Sequence, residues 1–72
     1  MNAASIILKR MLESGSNTCS NDGYDDMSKN DFNSAINALL RSKYIEGMHE
    51  TYDKGYLFYR LTPLGKEKVK NL

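Results

Sequence analysis

SKNDFNSAINALLRSKYIEGMHETYDKGYLFYRLTPLG, residues 28–65, changes its apolar periodicity twice, and those changes set the fold. From Ser28 to Lys43 the apolar residues Phe32, Ala35, Ile36, Leu39 and Leu40 recur at helical spacing, which predicts an amphipathic helix. Ser28 stands at the N-cap, and Asp31 three residues later supplies the carboxylate of a capping-box variant. Tyr44 to Thr51 and Tyr56 to Thr62 then read as two β-strands around Tyr52-Asp53-Lys54-Gly55, where the glycine suits a short hairpin loop. Thr62 can cap a further helix with Pro63 in its first turn, where a missing N–H has no cost. The order is helix, hairpin, helix.

Outward from this stretch, Ala4, Ile7, Leu8, Met11 and Leu12 form one stripe of an N-terminal helix, with Asn2 to cap it and Gly15 to end it. Ile6 lies off the stripe, as a peripheral core contact or as part of a dimer patch. Ser16 to Asp26 is rich in Ser, Asn, Asp and Gly, with only Cys19 and Tyr24 to anchor it, and reads as loop with at most one helical turn. Within the second strand, Leu57, Tyr59 and Leu61 are expected to face the core, and Tyr56, Phe58 and Arg60 the outside. Leu64, Val69 and Leu72 are expected to return to the core from the last helix, while Lys66, Lys68 and Lys70 point outward. The sequence therefore predicts one α+β, mainly α, domain over residues 1–72. Its layout is a winged helix-turn-helix: helix, loop or short helix, helix, two-stranded antiparallel wing and C-terminal helix.

Composition narrows the functional classes. A chain of 72 residues with 40% hydrophobic and 26% charged residues has the make-up of a soluble globular domain, so a cytoplasmic setting is the default. No apolar run approaches the roughly 18 residues that a membrane span needs. Cys19 is the only cysteine and His49 the only histidine, so no disulfide and no four-ligand zinc site is expected. No Gly-rich phosphate loop or catalytic constellation is present, and pairing Asp26 with His49 as acid and base has no motif behind it. Neither enzymatic activity nor a cofactor is expected. The net charge of +1 hides an asymmetry: residues 1–40 carry three basic against five acidic side chains, residues 41–72 seven against four. The basic excess falls on the wing and last helix, where phosphate contact would need it.

Opposite the buried stripe of the Ser28 helix stand Asn30, Asn33, Asn37 and Arg41, spaced by three, four and four residues. Asn is a mediocre helix former, so propensity does not explain three of them on one face. Asn can bond bidentately to adenine and Arg to guanine in the major groove, which makes these four the candidate base-facing residues and double-stranded DNA the first candidate partner. Lys29, Lys54 and Arg60 are the candidate phosphate contacts. The competing reading is a protein-interaction module, with a protein partner or a second copy of the chain, in which Asp22, Asp25 and Asp26 dock on a basic surface.

Tyr59-Arg60-Leu61-Thr62-Pro63-Leu64-Gly65-Lys66 resembles the strand-to-helix junction, Tyr-x-Leu-Thr-x-x-Gly, of bacterial winged-helix regulators of the MarR and PadR kind. Ile7-Leu8-Lys9, Asn17-Thr18, Asp31-Phe32, Arg41 to Gly47 and the wing together resemble the YjcQ-like family of small bacterial and phage proteins. These resemblances imply a winged-helix fold; joined to the amide face of the Ser28 helix, they make a DNA-binding protein, a small transcriptional regulator of bacterial or phage origin, the functional expectation. Such regulators carry a supporting helix before the recognition helix, where residues 16–27 here read as a polar, acidic loop.

Overall fold

The computed structural model describes residues 2–52 and 55–72, in six elements: α1 (Ala3–Glu13), β1 (Thr18–Ser20), α2 (Lys29–Arg41), β2 (Ile45–Glu50), β3 (Tyr56–Leu61) and α3 (Pro63–Lys70). Each helix starts on a side-chain oxygen that takes up a free backbone N–H. Asn2 accepts from Ser5, Ser28 from Asp31 and Thr62 from Gly65, at 2.9, 3.1 and 3.0 Å. The structure is thus an α+β arrangement of three helices on a three-stranded antiparallel sheet, consistent with a winged-helix layout.

The sheet order is β1-β3-β2, so β3 lies between two antiparallel neighbours. The segment expected to be loop contributes β1, a three-residue strand pairing Cys19 with Tyr59. Its polar Thr and Ser leave no alternation to read, and Cys19 alone turns into the core. Asn21 prolongs the attachment, donating its main-chain N–H to Leu57 C=O at 3.1 Å and its side-chain amide to Tyr56 C=O at 2.7 Å. No helix occupies residues 21–28; the segment expected to lack the supporting helix of winged-helix regulators is a series of turns.

α1 is the central element, packing on α2, α3, β1 and β3. It buries Ile7, Leu8 and Met11 against Phe32, Ala35, Ile36 and Leu39 of α2 and against Cys19, Ile45, Tyr59 and Leu61 of the sheet. Four expected core residues stand outside: Leu12 is 37% exposed, Leu57 54%, Leu64 53% and Leu72 49%. The core ends level with the Cys19 and Tyr59 pair, and Leu57 lies beyond it on the projecting hairpin. On α3 the docked side is centred on Gly65 and Val69, which turns Leu64 away; Leu72 follows the helix end. Tyr56, expected on the outer face, instead packs on the core, edge-on to Tyr59. Its ring covers Gly47, where a Cβ would overlap it.

The hairpin is closed by the Thr51 N–H on Gly55 C=O at 2.8 Å. His49, at φ 56°, interrupts β2 between the Met48–Phe58 and Glu50–Tyr56 pairs, and its ring lies 5.3 Å from that of Phe58.

The end of α2 sets where the hairpin leaves. Tyr44 N–H donates to Leu39 C=O and Lys43 N–H to Leu40 C=O, both at 3.1 Å, the paired bonds of a Schellman ending. The left-handed position that usually takes glycine holds Lys43, at φ 65°, at a cost of about 1 kcal/mol. The next turn of chain is then gripped from the other side. Thr62 donates its hydroxyl to Lys43 C=O at 2.7 Å and its N–H to Tyr44 C=O at 3.0 Å. Gly65, one turn into α3, lies so close to the Tyr44 carbonyl oxygen that an added Cβ would collide with it and with Leu61.

Gly65→Ala is therefore expected to lower stability by about 3 kcal/mol in urea unfolding, because the obstruction is main chain and cannot swing aside. Gly47→Ala should cost less, because its obstruction is the Tyr56 side chain, which a change of χ1 can move, and not main chain. Stability of Gly65→Ala within about 0.5 kcal/mol of wild type would contradict this packing.

Candidate nucleic-acid interface

Helix α2 owes its position to a buried side made of Phe32, Ala35, Ile36 and Leu39, with Leu40 half-buried beside them. Everything on the reverse side is left to solvent. Asn30, Asn33, Asn37 and Arg41 are all exposed, and Arg41 has no salt-bridge partner among the described residues. The four span about 16 Å along the helix axis, a length that can lie within a major groove. Lys29, in the first turn, is exposed as well.

The wing residues nominated for phosphate contact are placed differently. Lys54 lies outside the described residues. Arg60 faces Glu46 directly across the β2 and β3 pairing, and its guanidinium donates to the Glu46 carboxylate through Nε at 2.8 Å and through Nη2. Such an exposed pair adds little to stability, but a phosphate would have to compete with Glu46 for the same donors.

The acidic loop is only partly available. Arg10 of α1 grips Asp26 with two parallel hydrogen bonds of 2.8 and 2.6 Å, and the same guanidinium lies 4.7 Å over the Tyr24 ring. The hydrogen bonds from Arg10 hold the Asp26 carboxyl below its usual range. Tyr24 in turn meets Phe32 edge-on, at 6.1 Å between centroids, so this cluster braces the start of α2. Asp22 is tied locally to Ser20, while Asp25 is exposed. Burial pushes the Cys19 thiol up, opposite to the shift a reactive thiolate needs. Burial first, and the neighbouring Cys19 second, also raise the Tyr24 phenol. Asp26 and His49 are not brought together; each is held by a different neighbour.

Two features escaped the sequence reading. One is the Arg10, Asp26 and Tyr24 cluster, whose members are separated by an unreadable loop. The other is a set of cations at the far end of α2. Arg41 and Lys43 are exposed there, and Lys68 of α3 places its ammonium 6.0 Å from the centroid of the Tyr44 ring. Beside them a shallow recess of about 400 Å³ is lined by Leu40, Lys43, Ile45, Glu46, Gly47, Tyr56 and Thr62. A second hollow, of about 280 Å³, lies between the starts of α1 and α2 against Ala3, Ala4 and Ala35. Among the described residues no three His, Cys, Asp or Glu side chains gather as a metal would require, and no helix is long and apolar enough to cross a membrane.

Comparison of the chain with protein-family models, with curated proteins and with solved structures gives no significant match.

Because Asp26 titrates below the normal carboxylate value when folded, its stabilising effect is complete above that value and disappears as pH falls through the folded pKa. The difference in melting temperature between wild type and Asp26→Asn should be constant near neutrality and shrink below about pH 4. A difference that is the same at all pH values would show that the ion pair contributes nothing.

Proposed function

We propose that this protein is a DNA-binding domain of the winged-helix type, a small transcriptional regulator that lays α2 in the major groove. The supporting observation is the exposed row Asn30, Asn33, Asn37 and Arg41 on the helix that the sheet and α1 hold from behind. Amides at this spacing offer paired donors and acceptors to adenine edges, and the arginine offers a fork to guanine. Lys29 then contacts a phosphate, and Arg60 a second one in exchange for Glu46, fixing position without reading sequence. The Arg10 pairing favours this reading, since it removes one carboxylate of the acidic loop from repulsion with a polyanion.

A second reading has its own observation. Leu57 is 54% exposed and Tyr52 fully so, both near the end of the hairpin. An apolar hairpin end is suited to another protein or to a second copy of the chain, and a lone domain of this size would gain specificity from such pairing.

Fluorescence anisotropy with labelled duplexes separates the two. Binding should weaken with added salt, the log-log slope growing by about 0.9 for each phosphate neutralised. Replacing Asn33 and Asn37 together with alanine should reduce affinity for the preferred site by at least about tenfold, with the salt slope unchanged, because amides read bases and carry no charge. Absence of binding to any duplex at low salt rejects the proposal in favour of the protein-contact reading.

A further inference from the structure

We infer that the principal phosphate grip of this domain lies at the far end of α2, where Lys43 and Lys68 flank Tyr44, rather than on Arg60 of the wing. The inference rests on the DNA-binding reading above and specifies which cations carry its electrostatic part.

Three observations converge on that corner. Lys43 occupies, at φ 65°, the helix-ending position that glycine fills without strain, while its N–H and C=O are both committed, to Leu40 and from Thr62. The backbone would keep every one of those bonds with glycine in place, so Lys43→Gly removes the ammonium without removing a main-chain contact. Lys68 comes to the same corner from α3, its ammonium 6.0 Å from the Tyr44 ring centroid. This placement follows from the Thr62 and Gly65 contacts that press the start of α3 onto the α2–β2 turn. Finally, Arg41, one turn from Asn37 and on the same row, is exposed two residues before Lys43, so the row ends next to this corner in the chain. On the inferred arrangement, a duplex seated on the row extends past Arg41 and sets its backbone against Lys43 and Lys68.

Arg60 is placed less well. Glu46 accepts from its guanidinium at two nitrogens, so a phosphate gains there only what it takes from an existing pair. Lys43 and Lys68 have no salt-bridge partner among the described residues.

The test uses the full chain and a labelled duplex, comparing Lys43→Gly, Lys43→Arg, Lys68→Gln and Arg60→Gln. Lys43→Gly relieves the left-handed lysine, so its melting temperature should rise while its affinity at low salt falls about three- to tenfold. Its salt slope should drop by about 0.9, the equivalent of one phosphate. Lys68→Gln should lower the slope similarly, Lys43→Arg should keep it, and Arg60→Gln should change it less than either. Stability and affinity moving in opposite directions in Lys43→Gly rules out damage to the fold as the cause. If wild type binds while Lys43→Gly and Lys68→Gln keep its affinity and slope, the grip is elsewhere and this inference fails with the DNA-binding reading intact. If wild type binds no duplex, both fail.

Discussion

Two main-chain carbonyls at the end of α2 bear the geometry of the rest. Lys43 and Tyr44 each accept a hydrogen bond from Thr62, and Gly65 leaves the space for α3 to settle on them. Those contacts join three transitions at one point: the end of α2, the start of β2 and the passage from β3 into α3. Fixing both ends of the hairpin there determines its register, in which Ile45 pairs with Leu61 and Glu46 with Arg60. It also determines which side of α2 is covered. With β2 leaving from Tyr44 and α1 lying across Phe32, Ala35, Ile36 and Leu39, the asparagine row has only solvent before it.

The other end of α2 is supported by different means. A supporting helix would cover the first turn with apolar side chains; here a short turn does so with Tyr24 stacked under Arg10 and edge-on to Phe32. Asp26 completes that cluster by orienting the guanidinium. One ion pair thereby helps position the helix and takes a negative charge out of the loop nearest to it. The basic excess of the C-terminal half is spread over the wing, α2–β2 turn and α3, and the Glu46 contact with Arg60 shifts its unpaired part toward the turn.

Much of this was readable because the signals were local. All three helix caps, Asn2, Ser28 and Thr62, stand where a side-chain oxygen precedes a periodic run, and the apolar stripe of α2 needed no tertiary information. What was missed depends on partners distant in sequence. β1 exists because β3 offers it an edge, since three residues of Thr-Cys-Ser carry no strand pattern of their own. The exposure of Leu57 and Leu64 reflects where the core stops, which no alternation can tell. The inward turn of Tyr56 required Gly47 on the neighbouring strand. Among the candidate site residues, exposure of the Asn30, Asn33, Asn37 and Arg41 row follows from helix periodicity alone, but the capture of Arg60 by Glu46 follows from strand register.

Chemical-shift mapping on the isotope-labelled chain addresses the central claim most directly. On titration with a duplex at low salt, perturbations should concentrate on the exposed side of α2, including the side-chain amides of Asn33 and Asn37, and continue into the α2–β2 turn. Shifts confined to the loop at 22–26 or to the end of the hairpin, or no shifts with any duplex, would contradict the account.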